Sequence, residues 1–309
     1  MIDTFQISIT RARLPNQIES GGSKFKPLRF TQTGEPTAFC VNGAKGEPRL
    51  TISKNRNDWW NIRAEVSVGR WLHGSNLHLP DAEELHRGLD LLSALVRERI
   101  GVVFDAHTAR VSRVDFTRDF QVGEDAVISI IAKFAKFNLP RYKRVCYEET
   151  SVYFKNSLEK GKLTKQFKIY SKYHERLKEG AGAEELEAAK GILRLEVSYQ
   201  KSAVNRLAKS LKLLSHHANH ILTKETSEKV ILTAMKQLHF DSLLNAGDSN
   251  VEKLFELYGA TMPFSLIGFC YLTDRYGADL TRQSFIQTSP KTLRRYADDC
   301  NRAGILSLE

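Results

Sequence analysis

The amino-acid sequence predicts an α+β protein, in which an antiparallel sheet with helices is followed by a mainly helical C-terminal region. Before residue 201, short runs alternate apolar and polar residues between turn signals, which is the pattern of strands with one buried face. Beyond that residue the strand pattern ends and apolar residues recur at helical spacing. We therefore predict two domains, residues 1–205 and 206–309.

Composition limits the kind of protein and favours one kind of partner. The 309 residues include 46 Lys and Arg against 36 Asp and Glu, which gives a formal net charge of +10. This balance favours a polyanion such as nucleic acid, because neutralising phosphates releases condensed counterions. No apolar run approaches the ~20 residues that a membrane helix needs, and the first residues do not form a signal peptide. We expect a soluble intracellular protein without membrane contact.

Local signals place the individual elements. The first clear helix is predicted over Ala82–Arg99, where Asp81 and Glu84 have the spacing of a capping box. The elements predicted next are helix Ala126–Phe137, strands Thr150–Lys155 and Gln166–Tyr173 as a hairpin, helix Glu184–Ala189 and strand Ile192–Tyr199. The helices predicted for the C-terminal region are Val204–Leu214, Thr226–His239, Val251–Tyr258, Pro263–Tyr276 and Lys291–Ala303.

Reactive side chains fall on the polar faces of four predicted strands, because side chains alternate along a strand. These groups are Glu65, Arg113 with Asp115, Arg194 with Glu196, and Tyr170 between Lys168 and Lys172. If the faces converge, the carboxylates of Glu65, Asp115 and Glu196 provide the oxygen ligands that a hard divalent cation prefers. Positive charge from the two lysines would lower the pKa of Tyr170 and favour its phenolate as a nucleophile towards a phosphodiester.

The same alternation has a second interpretation that needs no chemistry. An antiparallel sheet with one solvated face shows it, and Arg and Glu often pair across strands on such a surface. From the pattern alone, this structural interpretation is the more common one.

Motifs on these strands resemble those of the filamentous-phage gene II replication initiators and, more loosely, of plasmid rolling-circle Rep proteins. The matching segments run through most of residues 1–200. They are Met1-Ile2-Asp3; Glu65 through Leu72-His73-Gly74-Ser75-Asn76; Val111-Ser112-Arg113-Val114-Asp115; Lys168-Ile169-Tyr170-Ser171-Lys172 continuing to Glu175; and Leu193-Arg194-Leu195-Glu196. A weaker match covers Lys291–Ile305.

The resemblance implies a fold, an activity and a site. It implies a Rep-type nuclease domain that nicks one strand of double-stranded replicative DNA at the origin of a phage or plasmid, and rejoins it after rolling-circle synthesis. Tyr170 matches the nucleophile of the family's Y-x-K-x-x-E motif, which Lys172 and Glu175 complete. The reaction would use Mg²⁺ or Mn²⁺ in the cytoplasm of a bacterial host, with the host replicative helicase as a further partner.

One departure from related proteins concerns histidine. Rolling-circle nucleases more broadly carry a His-hydrophobic-His metal motif, which this chain lacks, and related phage proteins have Gly-His-Asn where it has Gly74-Ser75-Asn76. His73 and His78 flank this segment at a spacing that matches no motif, so we interpret them as loop or surface residues and leave ligation open. We accordingly expect a metal site dominated by carboxylates, with Asp115 and Glu196 ahead of Glu65.

Other polar and basic residues are candidates for DNA contacts, namely Arg113, Arg194, Asn76, Lys143, Arg144, Arg294 and Arg295. The last two lie in a C-terminal helix suited to a major groove, although a packing helix with a basic edge would look the same. Phe134 and Phe137 near Lys143 could stack on bases or belong to the core. His216, His217 and His220 are interpreted as a helix surface. A non-enzymatic origin-binding protein or repressor is the alternative function.

Overall fold

The computed structural model describes residues 1–11, 25–32, 34–41, 43–44, 46–55, 59–157, 163–240, 291–292, 295–296 and 298. The chain divides into two compact units. Unit 1 comprises Met1–Thr117 and Val197–Val230, and unit 2 comprises Arg118–Glu196 and Ile231–Glu309. The predicted domain boundary near residue 205 stays a prediction.

The described elements follow one another in a fixed order. They are β1 (Ile2–Arg11), β2 (Phe25–Phe30), β3 (Pro36–Val41), β4 (Arg49–Lys54), β5 (Trp60–Ser67), α1 (Val68–His73), α2 (Ala82–Ile100), β6 (Arg110–Gln121), α3 (Glu124–Lys136), β7 (Lys143–Tyr147), β8 (Ser151–Ser157), β9 (Leu163–Ser171), α4 (Lys172–Lys178), α5 (Ala183–Ala189), β10 (Ile192–Gln200), α6 (Ser202–Ser210), α7 (Ala218–Ile221) and α8 (Lys224–Gln237). Among the residues described, no helix is long and apolar enough to cross a membrane.

Unit 1 is organised around strand β1. Its strands lie in the order β2-β3-β4-β5-β1-β6, and each neighbouring pair is antiparallel. On β5, Trp60, Ile62, Ala64 and Val66 are buried, and the residues between them are only partly so. This strict alternation confirms the predicted face of that strand. The strand ends at Ser67, because Val68 begins α1.

Helix α2 begins where the sequence predicted. The side chain of Asp81 accepts hydrogen bonds from the backbone N–H groups of Glu83 and Glu84, and Glu84 in return accepts from the N–H of Asp81 at 3.1 Å. Both halves of the capping box are therefore present, which satisfies donors that a helix N-terminus otherwise leaves without partners.

Unit 2 contains strands in the order β10-β9-β8-β7. The antiparallel pairing of β8 with β9 confirms the predicted hairpin. Helix α3 packs on both of these strands, and Phe134 and Phe137 are 0% and 3% exposed. These two rings therefore belong to the core, which excludes base stacking in this conformation.

The structure corrects the strand that carries Tyr170. The prediction ran to Tyr173, but β9 ends at Ser171 and α4 begins at Lys172. Ser171 is the N-cap residue, and its hydroxyl accepts a hydrogen bond from the N–H of His174. A serine at this position competes with strand continuation because its oxygen satisfies a helix donor. The helices predicted over Val251–Tyr258 and Pro263–Tyr276 lie outside the described residues.

Candidate active site

The candidate active site of unit 2 lies on the polar face of the β8–β9 hairpin. In the strand register, Ser151 is opposite Tyr170 and Tyr153 is opposite Lys168. Residues directly opposite in an antiparallel pair point to the same side of the sheet. The alternate pairs, Val152 with Ile169 and Phe154 with Phe167, occupy the other side and are fully buried.

Tyr170 lies within reach of an acid from another strand. Its hydroxyl donates to Oε2 of Glu196 at 3.5 Å, and Oε1 of the same carboxylate binds the ammonium group of Lys168. Tyr170 is 6% exposed and Glu196 is 4% exposed. The structure thus brings together the predicted tyrosine, one predicted carboxylate and one predicted lysine, and it connects them in one chain of contacts.

Lys172 reaches the tyrosine from helix α4 and not from the strand. Its side chain is fully buried and forms an ion pair with Glu175. The Lys172 Nζ atom lies 6.0 Å from the centroid of the Tyr170 ring, at the limit of a cation–π contact. The Lys and Glu of the Y-x-K-x-x-E motif are therefore paired with each other on α4, beside the tyrosine.

A cavity of about 150 Å³ opens beside these groups. Its lining includes Lys168, Tyr170, Glu175 and Glu196 together with Thr150, Ser151, Tyr153 and His174. Burial raises the pKa of the Tyr153 phenol, and the neighbouring Lys168 ammonium opposes this only in part. Tyr153 is therefore a neutral hydrogen-bond donor in this cavity at neutral pH.

Sequence reasoning did not identify Tyr153, Ser151 or His174 as parts of the site. The signal for the first two was present, because the predicted hairpin places alternate residues of β8 on the face of Tyr170. His174 lines the cavity only because the chain turns into α4 after Ser171, and its Nδ1 atom lies 2.8 Å from the Ser171 hydroxyl.

The other two predicted metal ligands lie in unit 1 and share one arginine. Arg113 contacts Asp115 through Nε at 3.2 Å and Nη2 at 2.6 Å, and its Nη1 contacts Glu65 at 3.1 Å. Asp115 is 2% exposed, whereas about a third of the Glu65 side chain is exposed. Carboxylate oxygens suit a hard cation, but here the guanidinium competes for them.

Arg194 makes a different kind of pair within unit 2. Its guanidinium is fully buried and binds Asp119 through two parallel contacts of 2.6 and 2.7 Å. Such a fork fixes two planar groups against each other. A DNA contact by Arg194 stays a prediction, and it would require this pair to open.

The remaining predicted DNA contacts differ in accessibility. Asn76 is 6% exposed, whereas Lys143 and Arg144 are exposed on β7. Arg144 also donates to the carbonyl oxygen of Phe137 at 2.9 Å. Arg295 is exposed, and Arg294 lies outside the described residues.

Two further groups of side chains in unit 1 place metal-ligating atoms close together. Within the described part of the chain, His73, His78 and Glu84 form one group, and His86, Asp90 and His107 form the other. The atoms of each group lie within 4.8 Å of one another. Across the same described residues, His216, His217 and His220 form no such group; His220 instead lies 2.8 Å from the hydroxyl of Ser215.

The fold and site together define an α+β protein with an antiparallel sheet, whose buried polar face carries a tyrosine, a glutamate and a lysine in contact. Residues 45–224, more than half of the chain, match the family model that describes the N-terminal part of the phage replication-associated protein of gene II type. The chain belongs to this family, which confirms the resemblance to the gene II-type initiators.

Comparisons with curated proteins and with solved structures support no further conclusion about this chain. No curated protein matches the chain in sequence. Among solved structures, the crystal structure of DynU16, a protein in the dynemicin biosynthetic locus, is 8% identical, covering 64% of this chain and 86% of its own. Its TM-score is 0.18, so this similarity supports no conclusion about fold or function.

Proposed function

We propose that this phage replication protein nicks one strand of double-stranded origin DNA by forming a covalent bond to Tyr170, and later rejoins the strand. The observation that supports this most directly is the contact of the Tyr170 phenol with Glu196, whose other oxygen binds Lys168. Tyr170, the nucleophile, thereby contacts Glu196, which can accept its proton. Glu196 in turn contacts Lys168, which can donate a second proton. Membership of the replication-associated family supports the same activity.

In the proposed reaction, the phosphodiester bond of the DNA is exchanged for a phosphodiester bond to the tyrosine. The phenol oxygen of Tyr170 attacks the scissile phosphorus, its proton passes to Glu196, and the bond from phosphorus to the 3′-oxygen breaks. The ammonium of Lys168 gives a proton to the departing 3′-oxygen and recovers one from Glu196 through their contact. Reversal of these steps by a 3′-hydroxyl rejoins the strand and releases the tyrosine. The 3.5 Å contact is long for a proton transfer, as is common before substrate binds.

Basic residues would hold the DNA beside this site. Lys172 is close to the Tyr170 ring, and its positive charge would stabilise the phenolate. Lys143 and Arg144 are exposed and suited to contact backbone phosphates. The net charge of +10 favours such contacts over the whole chain.

A divalent cation, Mg²⁺ or Mn²⁺, remains part of the proposal. Asp115, Glu196 and Glu65 are its proposed ligands, and carboxylates are the right donors for it. When bound, the cation would polarise the scissile phosphate. The contacts of Glu196 with Tyr170 and Lys168 support its role as a base more than a role as a ligand. Asp115 and Glu65 would have to exchange their contacts with Arg113 for the cation.

The decisive experiment is incubation of the full chain with supercoiled origin DNA and Mg²⁺ or Mn²⁺, followed by denaturing electrophoresis. We expect relaxed circles and a protein–DNA adduct that Tyr170→Phe abolishes. Tyr173→Phe is the matched control, since Tyr173 lies on α4 three residues away and does not line the cavity. An adduct that persists in Tyr170→Phe and disappears in Tyr173→Phe would exclude the proposed nucleophile.

The alternative is a non-enzymatic origin-binding protein or repressor. It would bind origin DNA in a sequence-specific, salt-dependent manner but leave supercoiled DNA intact with either cation. The same gels distinguish the two functions. Recruitment of a host replicative helicase stays a separate proposal, which co-purification with the covalent complex would test.

A further inference from the structure

His73, His78 and Glu84 meet where three consecutive pieces of unit 1 come together. His73 is the last residue of α1, His78 belongs to the segment that follows, and Glu84 lies in the first turn of α2. The Nε2 atom of His73 lies 2.8 Å from Oε1 of Glu84, and the Nε2 atom of His78 lies 3.0 Å from Oε2. Both imidazole rings therefore direct the same nitrogen towards one carboxylate.

The carboxylate at the centre of this group is held in place. Glu84 Oε2 also accepts the backbone N–H of Asp81 at 3.1 Å, so the capping box fixes its orientation. Such a hydrogen bond to a ligand is the usual support for a metal site.

The segment that carries His78 is also closely fitted to α1. A Cβ atom on Gly69 would lie 2.4 Å from the carbonyl oxygen of His78, so only glycine allows this approach. The two rings lie with their centroids 4.5 Å apart at an interplanar angle of 71°. The close approach at Gly69 brings the segment after α1 back against the helix that ends in His73.

We propose that His73, His78 and Glu84 bind a divalent transition-metal ion of the Zn²⁺ type, which fastens the end of α1 to the start of α2. Two imidazoles and one carboxylate form a known zinc ligand set that leaves a position for water. Imidazole nitrogen favours zinc, copper, iron or nickel, whereas Mg²⁺ prefers oxygen. The His73 and His78 side chains are 37% and 58% exposed, so an ion can reach them from solvent.

The second histidine group of unit 1 is a natural comparison. His107 Nε2 contacts Asp90 at 2.8 Å, but His86 approaches His107 through its ring, with centroids 4.4 Å apart. The Asp90 side chain is 69% exposed, against 24% for Glu84. A fixed, partly buried carboxylate shared by two rings is better organised for a metal than an exposed one that contacts a single ring.

Binding is tested with the metal-stripped full chain in the absence of DNA. Calorimetric titration with Zn²⁺, and visible absorption with Co²⁺, should each report one ion that excess Mg²⁺ does not displace. Either His73→Asn or His78→Asn should weaken binding by more than about 100-fold, since even changes outside the ligand shell cost 10–100-fold. His86→Asn is the matched control and should bind as the unaltered chain does. Undiminished binding in His73→Asn, or loss in His86→Asn, would overturn the assignment.

A second measurement does not depend on the variants. X-ray absorption of the Zn²⁺ complex of the unaltered chain should show two imidazoles with oxygen ligands. Sulfur among the ligands would instead indicate a site at cysteine, such as exposed Cys146, and would exclude the proposed one. Zn²⁺ should also raise the melting temperature of the unaltered chain and of Tyr170→Phe alike. This site is therefore independent of the proposed nicking activity, and either can fail while the other stands.

Discussion

The polar faces of strands β5 and β9 carry similar residues in very different surroundings. On β5 of unit 1, Glu65 is partly exposed between the buried residues of a regular alternation. On β9 of unit 2, Gln166 and Tyr170 are buried on the polar side as well. The carboxylate of Glu65 is thus close to water, whereas the buried carboxylate of Glu196 beside β9 is neutralised by Lys168. A charge pair in the second setting is harder to remove and more strongly coupled to its neighbours.

The largest expected effect is on the reaction at β9. Glu196→Gln keeps the size of the side chain but removes the proton acceptor, so the rate of adduct formation should fall by about 10²–10⁴-fold. Single-turnover nicking by the variant and by the unaltered protein checks this. An unchanged rate would leave Glu196 with a structural role only.

A large stability effect is expected at the buried pair of unit 2. Arg194→Ala leaves Asp119 without its guanidinium partner and should lower the free energy of unfolding by about 3–5 kcal/mol. Glu65→Gln in unit 1 removes a partly exposed partner of Arg113 and should cost less than about 1 kcal/mol. Chemical denaturation of both variants measures the difference. Equal losses of stability would show that burial does not determine the cost of removing one partner of a charge pair.

A smaller effect concerns Lys165, a partly buried lysine on β9. Burial lowers the pKa of Lys165 to about 8, and its Nζ atom lies 4.5 Å from the centroid of the Phe167 ring. Between this pKa and the ordinary value of 10.5, the unfolded chain binds more protons than the folded one, so stability should rise with pH. Lys165→Met should remove this rise and stabilise the protein at pH 7 by up to about 3 kcal/mol.

The matched control for this prediction is Lys143→Met, since Lys143 is exposed on β7. That variant should keep the increase in stability from pH 8 upward, measured as the melting temperature across the same range. If both variants lose the increase, it originates elsewhere in the chain.

Local features of the site were predictable from sequence. The alternation of β5, the capping box of α2 and the β8–β9 hairpin depend on residues within a few positions of each other, and the structure confirms all three. The predicted end of β9 was wrong, although the sequence contained an N-cap signal in Ser171. Periodicity continued through Lys172 and concealed the turn, because a strand and the first residues of a helix can share the same polar pattern.

The sequence by itself determined which residues share a face of each strand, and with the family motif it selected Tyr170. It could not determine what covers that face. Only the tertiary structure placed Glu196 against Tyr170 and Lys168, buried Arg194 against Asp119, and joined His73 and His78 at Glu84. Strand periodicity follows from backbone geometry within one segment, whereas burial and pairing depend on segments far apart in the chain, whose approach no local pattern encodes.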